Sequence, residues 1–314
     1  MSILEKLLSG DIRTLSRLIS IVENRSGGYR EILARMYRQA GRSVRIGITG
    51  PPGAGKSTLV NGLAKRVLDE GKKVGIIAVD PTSPFTGGAL LGDRVRMNEF
   101  PTDGSFYFRS MATRGATGGL AAATGNVSLI YDSFGFDITF VETVGVGQVE
   151  LDIVDTCDSV VVVLVPESGD AVQTMKAGLM EIADLFCVNK ADRPGSERMV
   201  AELHQMLDTR RKDETVWEVP VISTEAVTGK NIDRVYAAIS EHIEFIKTTG
   251  LFETHRREQI KKKVLSILKS RFEQEFIDRV VSQVKFDRIV DDIQAGKNSP
   301  FEIGDQLYDE FSGR

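Results

Sequence analysis

A glycine-rich segment that ends in a lysine and two hydroxyl residues could bind a phosphate group. It follows an apolar run and matches the pattern G-x-x-x-x-G-K-[ST]. Its glycines permit a tight turn whose amide groups point at phosphate oxygens, and the helix that follows favours an anion at its N-terminus. We expect Lys56 to contact the β- and γ-phosphates and Ser57 to offer its hydroxyl to Mg²⁺. The predicted phosphate loop consists of Gly50, Pro51, Pro52, Gly53, Ala54, Gly55, Lys56, Ser57 and Thr58.

A second motif indicates which base the nucleotide carries. The sequence N-K-A-D at 189–192 follows the apolar run LFCV. The Asp192 carboxylate can accept hydrogen bonds from guanine N1–H and from the exocyclic amine, a donor pair that adenine lacks. Asn189 would brace the loop, and the aliphatic stem of Lys190 would cover the base. We therefore predict GTP and GDP as ligands in preference to ATP. Backbone amides of a second base loop are expected to reach guanine O6, and this loop consists of Ser223, Thr224 and Glu225.

Acidic residues at the ends of predicted strands could hold a metal ion near the γ-phosphate. Asp80 ends one apolar run, and Glu142 ends another within E-T-V-G, where many GTPases carry D-x-x-G. A carboxylate there can bind Mg²⁺ directly or through water, and the Gly145 amide can contact the γ-phosphate. Asp93 lies in a glycine-rich stretch between the two runs. The three acids and the Ser57 hydroxyl are the predicted Mg²⁺ ligands.

The pattern of apolar residues predicts the elements that must position these groups. Between Val44 and Ile246, short β-branched runs alternate with helical stretches. Runs this apolar fit strands buried on both faces, and helices between them favour a doubly wound, mostly parallel α/β sheet. The expected strands are 44–49, 73–79, 138–141, 159–165, 185–188 and 219–222, with a further one at 105–108.

Helical regions are predicted on both sides of this sheet domain. Residues 1–43 show helical spacing with breaks at glycines, and apolar residues from Ile260 to Val284 trace one face of a long helix. Such a face on a terminal helix favours packing against the main domain or a second copy of the chain. We predict an N-terminal helical extension over 1–43, a P-loop GTPase domain over 44–248, and a C-terminal helical dimerisation region over 249–314 that forms a homodimer.

Composition excludes several classes of protein. With 314 residues, 41% hydrophobic and 27% charged, the chain is neither disordered nor fibrous. A net charge of -4 gives no bias towards nucleic acid. No segment approaches the roughly 18 apolar residues that span a bilayer, and the N-terminus does not resemble a signal peptide. Cys157 and Cys187 lack C-x-x-C spacing, as expected of buried thiols in a reducing compartment. We expect a cytoplasmic protein with no nucleic-acid or membrane partner.

Seven motifs together resemble the G-protein chaperones of adenosylcobalamin-dependent acyl-CoA mutases, the MeaB, ArgK or MMAA type. The resemblance implies a dimer-forming P-loop GTPase that gates transfer of adenosylcobalamin from an adenosyltransferase to the mutase. It also implies protection or reactivation of the mutase, with methylmalonyl-CoA mutase as the best-known client. The motifs lie between about Tyr29 and Gly250 and are GPPGAGKST, VDPTSP, GDRVRM, RSMATRGATGGLA, VETVGVGQVE, PESGDAVQTMKAGLMEIAD and NKADRPG.

The resemblance also implies residue roles. Lys56 serves the phosphates, Asp93 and Glu142 are metal-side acids, and Gln148 orients water. The segment from Glu167 to Lys176 resembles a third switch that relays the nucleotide state to the client. The relay residues are Asp170, Gln173 and Lys176. Hydrolysis is expected to be slow for the chain alone and stimulated by the client mutase.

Two other functions stay open on the residues alone. A metallochaperone-type GTPase needs Cys or His ligands at coordinating spacing, whereas His204, His242 and His255 are scattered and the cysteines are not paired. A P-loop kinase would share the phosphate loop. However, N-K-A-D together with the E-T-V-G turn suits a GTP switch, so a slow GTPase that acts as a switch is favoured over both alternatives.

Overall fold

The computed structural model describes residues 3–80, 99–112, 119–143, 153–168, 178–208, 216–280 and 286–313. The chain divides into two compact units, Met1–Arg257 and Glu258–Arg314. The domain boundaries at 43 and 248 stay predictions. Within the described residues, no helix combines the length and the apolar character needed to cross a membrane.

A parallel sheet forms the centre of the first unit. In the described part of the chain it has seven strands, in the order β3-β2-β4-β1-β5-β6-β7, and each pairing between neighbours is parallel. The doubly wound α/β prediction is therefore confirmed. The strands are β1 (Val44–Thr49), β2 (Val74–Asp80), β3 (Phe106–Ala112), β4 (Ile138–Thr143), β5 (Ser159–Leu164), β6 (Leu185–Val188) and β7 (Val221–Ser223).

Helices cover both faces of this sheet. In β5, Val160 and Val162 belong to a core shared with the N-terminal helices and α5, whereas Val161 and Val163 belong to a core shared with α4 and α8. This alternation explains why the run is apolar throughout. The helices of the first unit are α1 (Ile3–Leu8), α2 (Ile12–Glu23), α3 (Tyr29–Tyr37), α4 (Lys56–Asp69), α5 (Gly119–Phe134), α6 (Gly178–Ile182), α7 (Ser196–Asp208) and α8 (Ile232–Thr248), with 3-10 turns at Ile153–Asp155 and Pro166–Ser168.

Two strands extend further than their apolar runs predict. β3 continues to Ala112 and β4 to Thr143. In β4 the backbone pairing does not stop at the charged residue, because Glu142 still lies opposite Ile48 of β1 and Ala78 of β2. Glu142 is therefore held by two neighbouring strands.

The C-terminal helices are α9 (Leu251–Arg279), α10 (Phe286–Gln294) and α11 (Pro300–Ser312). α9 starts at Leu251, nine residues before the apolar stripe that predicts it. It is separated from the end of α8 by a short turn that contains Gly250, which has a φ of 75°. Within the second unit, Phe276 of α9 contacts Phe311 of α11 edge to face at 5.3 Å. Ser299 and Glu302 cap the start of α11 reciprocally.

Candidate nucleotide-binding site

Those predicted phosphate, metal-side and base residues that the structure describes lie at one edge of the sheet. β1 lies at the centre of the strand order and leads directly into Gly50. Glu142 lies near the end of β4, Asn189 follows β6 and Thr224 follows β7. Because all these strands are parallel, their carboxyl ends share an edge, which is where α/β sheets bind ligands.

Two glycines of the phosphate loop have no room for a side chain. Gly50 has a φ of 137°, and a Cβ there would lie 2.0 Å from the carbonyl oxygen of Val163 in β5. Gly55 has a φ of 88°, and a Cβ there would lie 2.2 Å from Nδ2 of Asn189. The loop is therefore packed between β5 and the N-K-A-D loop, and glycine is required for contact as well as for conformation.

The N-terminus of α4 carries the charge that an anion would meet. Its N-cap is Gly55, which provides no side-chain hydrogen bond to the first amides of the helix. Lys56 is buried, and its Nζ donates to the carbonyl oxygens of Gly50 at 2.7 Å and Pro51 at 2.9 Å. The ammonium group thus lies over the loop, next to amides that can bind phosphate oxygens.

Ser57 and Glu142 lie in direct contact beside the phosphate loop. The Ser57 hydroxyl donates to Oε1 of Glu142 at 2.5 Å. At the next residue of β4, the buried Thr143 hydroxyl donates to the buried hydroxyl of Thr49, the last residue of β1, at 3.0 Å. A hydroxyl and a carboxylate are the oxygen ligands that Mg²⁺ prefers, so this pair fits the metal. Asp80 ends β2, the next strand on the other side of β4.

Asn189 connects the base loops to the phosphate loop. Its side chain is buried, and its Nδ2 donates to the carbonyl oxygen of Ala54 at 2.8 Å. Its Oδ1 accepts from the Thr224 hydroxyl at 3.2 Å and from the Ala226 amide at 3.0 Å. One side chain therefore links three loops, which agrees with the bracing role predicted for it.

The remaining base-loop residues divide into exposed and buried groups. Lys190 has a φ of 56°, and Asp192 is exposed, so its carboxylate is accessible to a base. Thr224 is fully buried, and its carbonyl oxygen accepts a hydrogen bond from the Ala191 amide, so Thr224 positions the N-K-A-D loop. The Glu225 carboxylate pairs with Lys230 at 2.5 Å, and the Glu225 amide donates to the Lys230 carbonyl at 3.2 Å. The Thr224 amide donates to the Val188 carbonyl at 2.8 Å. Both amides therefore already have acceptors within the protein, and contact of this loop with guanine O6 stays a prediction.

Two positioning residues were not predicted from the sequence. The Ala226 amide binds Asn189, and Asn231, with a φ of 63°, donates from Nδ2 to the Ser223 carbonyl at 2.8 Å. Asn231 lies directly before an amphipathic helix, and Asn is common at helix N-caps, so the sequence did indicate a structural role for this residue. Several predicted residues lie outside the described part of the chain; these are Asp93, Gly145, Gln148, Asp170, Gln173 and Lys176.

Comparison with known families shows which family the chain belongs to. The family model described as "Methylmalonyl Co-A mutase-associated GTPase MeaB" matches residues 15–283. The chain belongs to this family. It is a P-loop GTPase of the MeaB family, as its motifs predict, and membership of this GTPase family implies binding of GTP and GDP.

Relatives match the chain over most of its length. A Pyrococcus abyssi protein is 45% identical over 313 residues, 99% of this chain and 96% of the relative. The GTPase ArgK of Escherichia coli is 31% identical and matches 91% of this chain and 87% of its own. The mitochondrial methylmalonic aciduria type A homolog of Caenorhabditis elegans is 30% identical, covering 98% of this chain and 82% of its own.

A solved structure supports the MeaB-family fold. The crystal structure of an LAO/AO transport system kinase superposes with a TM-score of 0.71 at 24% identity. The match covers 99% of this chain and 96% of the other. At this identity, the likeness confirms the architecture alone.

Proposed function

We propose that this GTPase is a G-protein chaperone of an adenosylcobalamin-dependent acyl-CoA mutase, with methylmalonyl-CoA mutase as its client. The observation that carries the proposal is the match of the mutase-associated family to 15–283, which includes the whole nucleotide site. The C. elegans relative named for methylmalonic aciduria supports the same client. In this function the nucleotide state gates cofactor loading from an adenosyltransferase and protects or reactivates the mutase. The protein acts as a cytoplasmic homodimer.

The site residues have separate roles in this proposal. Lys56 neutralises charge that develops on the β- and γ-phosphates, and the Gly145 amide senses the γ-phosphate. Asp192 selects guanine, and Asn189 holds its loop against the phosphate loop. Gln148 orients the attacking water. The residues that would surround the nucleotide are Gly50, Pro51, Pro52, Gly53, Ala54, Gly55, Lys56, Ser57, Thr58, Ser223, Thr224 and Glu225. Pro51 and Pro52 shape the loop without an N–H of their own, because proline has no backbone donor.

A magnesium ion would be held by Ser57 and Glu142, with Asp80 and Asp93 as further acids. The support is the contact between the Ser57 hydroxyl and the Glu142 carboxylate next to the phosphate loop. When bound, Mg²⁺ would neutralise charge on the β- and γ-phosphate oxygens. The protein itself holds the two oxygen ligands next to each other, with Ser57 at the start of α4 and Glu142 near the end of β4.

Client coupling is assigned to the third switch that begins at Glu167. Arg193 of the N-K-A-D loop forms an ion pair with Glu167, so the start of this segment contacts the base side of the site. We propose that Asp170, Gln173 and Lys176 relay the nucleotide state to the mutase. Hydrolysis is then slow in the isolated chain and faster when the client rearranges the switches.

Exposed apolar side chains on α9 support a homodimer. They recur on a helix that has no fully buried residue among its 29. Exposed apolar patches of this kind mark interaction surfaces, and a second copy is the simplest partner. The side chains are Ile260, Val264, Leu265, Ile267, Leu268, Phe272 and Ile277, all at least 40% exposed.

The metallochaperone alternative has no structural support in the described residues. They contain no group of three or more His, Cys, Asp or Glu side chains that could hold a metal ion. A binding site for a transition-metal cargo needs such a group.

The decisive experiment measures mutase binding and its consequence together. Candidate acyl-CoA mutases are mixed with the purified chain in GDP and in a non-hydrolysable GTP analogue, and complex formation and GTP turnover are recorded. We expect the affinity to differ between nucleotides and turnover to rise with the client. Asp192→Ala serves as a control that should lose guanine preference but keep its fold. Failure of every mutase to bind or to change turnover would contradict the proposal.

A further inference from the structure

A thiol lies beneath the nucleotide edge of the sheet, in a strand that is otherwise apolar. Cys187 is the third residue of β6, whose other members are leucine, phenylalanine and valine, and it has no exposed surface. Its partners on the neighbouring strands are Val163 of β5 and Ile222 of β7. Valine and isoleucine suit such a position best. Compared with them, a thiol adds one weak hydrogen-bond donor.

The Cys187 thiol contacts the hydroxyl group of Thr224. Its Sγ lies 3.1 Å from Oγ1 of Thr224, and both side chains are fully buried. The same hydroxyl lies 3.2 Å from Oδ1 of Asn189, which is also buried. Thr224 thus connects a residue in the interior of β6 to the asparagine that follows the strand. We call Cys187, Thr224 and Asn189 the buried polar chain.

The asparagine fixes the direction of the hydrogen bonds in the buried polar chain. Nδ2 of Asn189 donates to the Ala54 carbonyl, and its Oδ1 accepts from the Ala226 amide, so Oδ1 is the acceptor towards Thr224 as well. The single proton of the Thr224 hydroxyl is therefore used on Asn189. Only acceptor lone pairs remain on Oγ1 of Thr224, so the thiol must be the donor in its contact with Cys187.

The thiol keeps the proton that this role requires. Burial raises the pKa of the Cys187 thiol to about 12. Ionisation of a group with such a pKa is negligible near neutral pH. A thiolate would instead accept the Thr224 proton and turn the hydroxyl away from Asn189. At neutral pH the S–H donor is therefore present, and the Thr224 proton stays on Asn189.

We propose that Cys187 is a positioning residue of the nucleotide site that acts through Thr224 and Asn189. Its S–H group orients the Thr224 hydroxyl towards Asn189, and Asn189 holds the base loops against the Ala54 carbonyl of the phosphate loop. Without the thiol, the hydroxyl loses one of the two contacts that fix its rotation, and the link between the loops loosens. The inference concerns nucleotide binding alone, so it stands or falls independently of the client proposed above.

The first test removes the donor and then restores it. Cys187→Ala and Cys187→Val lack the S–H group, whereas Cys187→Ser replaces it with a hydroxyl donor. Affinity for GDP is measured by titration calorimetry. We expect the alanine and valine variants to bind GDP about 3- to 10-fold more weakly than wild type, and the serine variant to stay within about 2-fold. The valine variant keeps a strand-forming side chain and decides the question if the alanine variant does not fold. Equal GDP affinity with and without the donor would overturn the proposal.

Cys157 provides a matched control for the loss of a buried thiol. It is the other cysteine of the chain, it is also fully buried, and burial raises its pKa too. It lies before the amino-terminal end of β5, at the edge of the sheet opposite the phosphate loop. Cys157→Ala and Cys187→Ala should both lower the free energy of unfolding in urea, but Cys157→Ala should bind GDP within about 2-fold of wild type. An equal loss of GDP affinity in both variants would overturn the proposal, because it would indicate a general loss of packing.

A double-mutant cycle with Asn189→Ala tests the route of the effect. Once Asn189 is replaced, the Thr224 hydroxyl has lost the acceptor towards which the thiol orients it. Cys187→Ala should then change GDP affinity by less than about 2-fold when it is introduced into Asn189→Ala. If the thiol acted by another route, its removal would weaken GDP binding by the same factor in both backgrounds, and that result would overturn the proposal.

Discussion

The side-chain amide of Asn189 donates a hydrogen bond to the carbonyl oxygen of Ala54, across 135 positions of sequence. This bond joins the loop that reads the base to the loop that holds the phosphates. The other half of the same side chain accepts from the loop after β7. Base and phosphate recognition therefore share a single buried residue, and disturbing it should affect both.

Asn189→Ala should weaken GDP binding by about 10- to 100-fold, because each buried group left without a partner costs about 1–3 kcal/mol. The groups concerned are the Ala54 carbonyl and the Ala226 amide. Titration calorimetry with GDP measures the effect. Asn189→Asp keeps the hydrogen-bond acceptor but loses the donor, so its affinity for GDP should lie between that of wild type and that of Asn189→Ala. The exposed Thr228→Ala is the control, and wild-type affinity in Asn189→Ala would contradict the bracing role.

Glu142→Gln should weaken the dependence of GTP hydrolysis on Mg²⁺. The amide keeps the shape of the side chain and can still accept from Ser57, but it loses the negative charge that a divalent cation prefers. We expect the half-saturating Mg²⁺ concentration to rise at least about 10-fold. GDP binding in EDTA should be nearly unchanged. The exposed Glu181→Gln serves as the control, and an unaltered Mg²⁺ titration in Glu142→Gln would remove this residue from the metal site.

Thr143→Val should lower kcat for GTP hydrolysis more than it changes KM. Its hydroxyl donates to the Thr49 hydroxyl. Thr143 is the second residue of the E-T-V-G motif and Thr49 directly precedes the phosphate loop, so the pair fixes the spacing between the two segments. Losing one buried hydrogen bond costs about 1 kcal/mol, or roughly a factor of five. Thr143→Ser should retain the rate. β4 offers a matched control at its other end, where Thr139 contacts Ser43 at 3.3 Å. If Thr139→Val and Thr143→Val reduce kcat equally, the pair has only a structural role.

Stability should depend on pH through the pair of His242, which is buried, and Asp184, which is partly buried, at the amino-terminal ends of β5 and β6. Nε2 of His242 lies 3.5 Å from Oδ1 of Asp184, and its Nδ1 lies 2.9 Å from the Ser159 hydroxyl. Burial raises the pKa of Asp184 from 3.8 to about 7 and lowers the pKa of His242 from 6.5 to about 4. Asp184 keeps its proton to a higher pH in the folded state than in the unfolded state. Its contribution to the free energy of unfolding is therefore lost as pH rises from about 4 to about 7. His242 binds a proton less readily in the folded state than in the unfolded state, so its contribution to the free energy of unfolding grows as pH rises from about 4 to 6.5.

The two contributions have opposite signs, and single variants should separate them. In Asp184→Asn the free energy of unfolding should rise with pH between 4 and 6.5 more steeply than in wild type, because only His242 still titrates. In His242→Gln it should fall between pH 4 and 7. Trp217 is the single tryptophan and donates to the Asp184 carbonyl at 2.7 Å, so its fluorescence reports urea unfolding at each pH. Parallel pH profiles for wild type and both variants would contradict this assignment.

The sequence predicts the strands well where burial on both faces makes them apolar. β1 and β6 have the bounds that their apolar runs predict. The length of β4 is underestimated because its apolar run ends before a glutamate, whereas backbone pairing with strands on both sides keeps Glu142 in the sheet. A charge at a strand end cannot be assigned from hydropathy, since it is satisfied by a distant group, here the Ser57 hydroxyl.

The candidate site is predicted in its motifs but not in its supports. Asn189 and Lys56 belong to patterns whose spacing reflects their chemistry, so sequence reasoning locates them. The Thr49–Thr143 pair and the Asn231 contact depend on which strands and loops become neighbours. Such contacts join residues distant in sequence, and single hydroxyl or amide residues carry no local signal for them.

The first three helices share their hydrophobic core with the sheet. Leu7, Leu15, Leu18 and Ile19 are completely enclosed, and they belong to the same core as Tyr131. A shortened protein that began at Val44 would leave that side of α5 bare to water, at a cost of about 1.5–3 kcal/mol for each large side chain uncovered. The smallest chain that can fold and bind nucleotide must therefore include the leading helices, and trimming to the motif-bearing region should yield aggregation in place of a minimal enzyme.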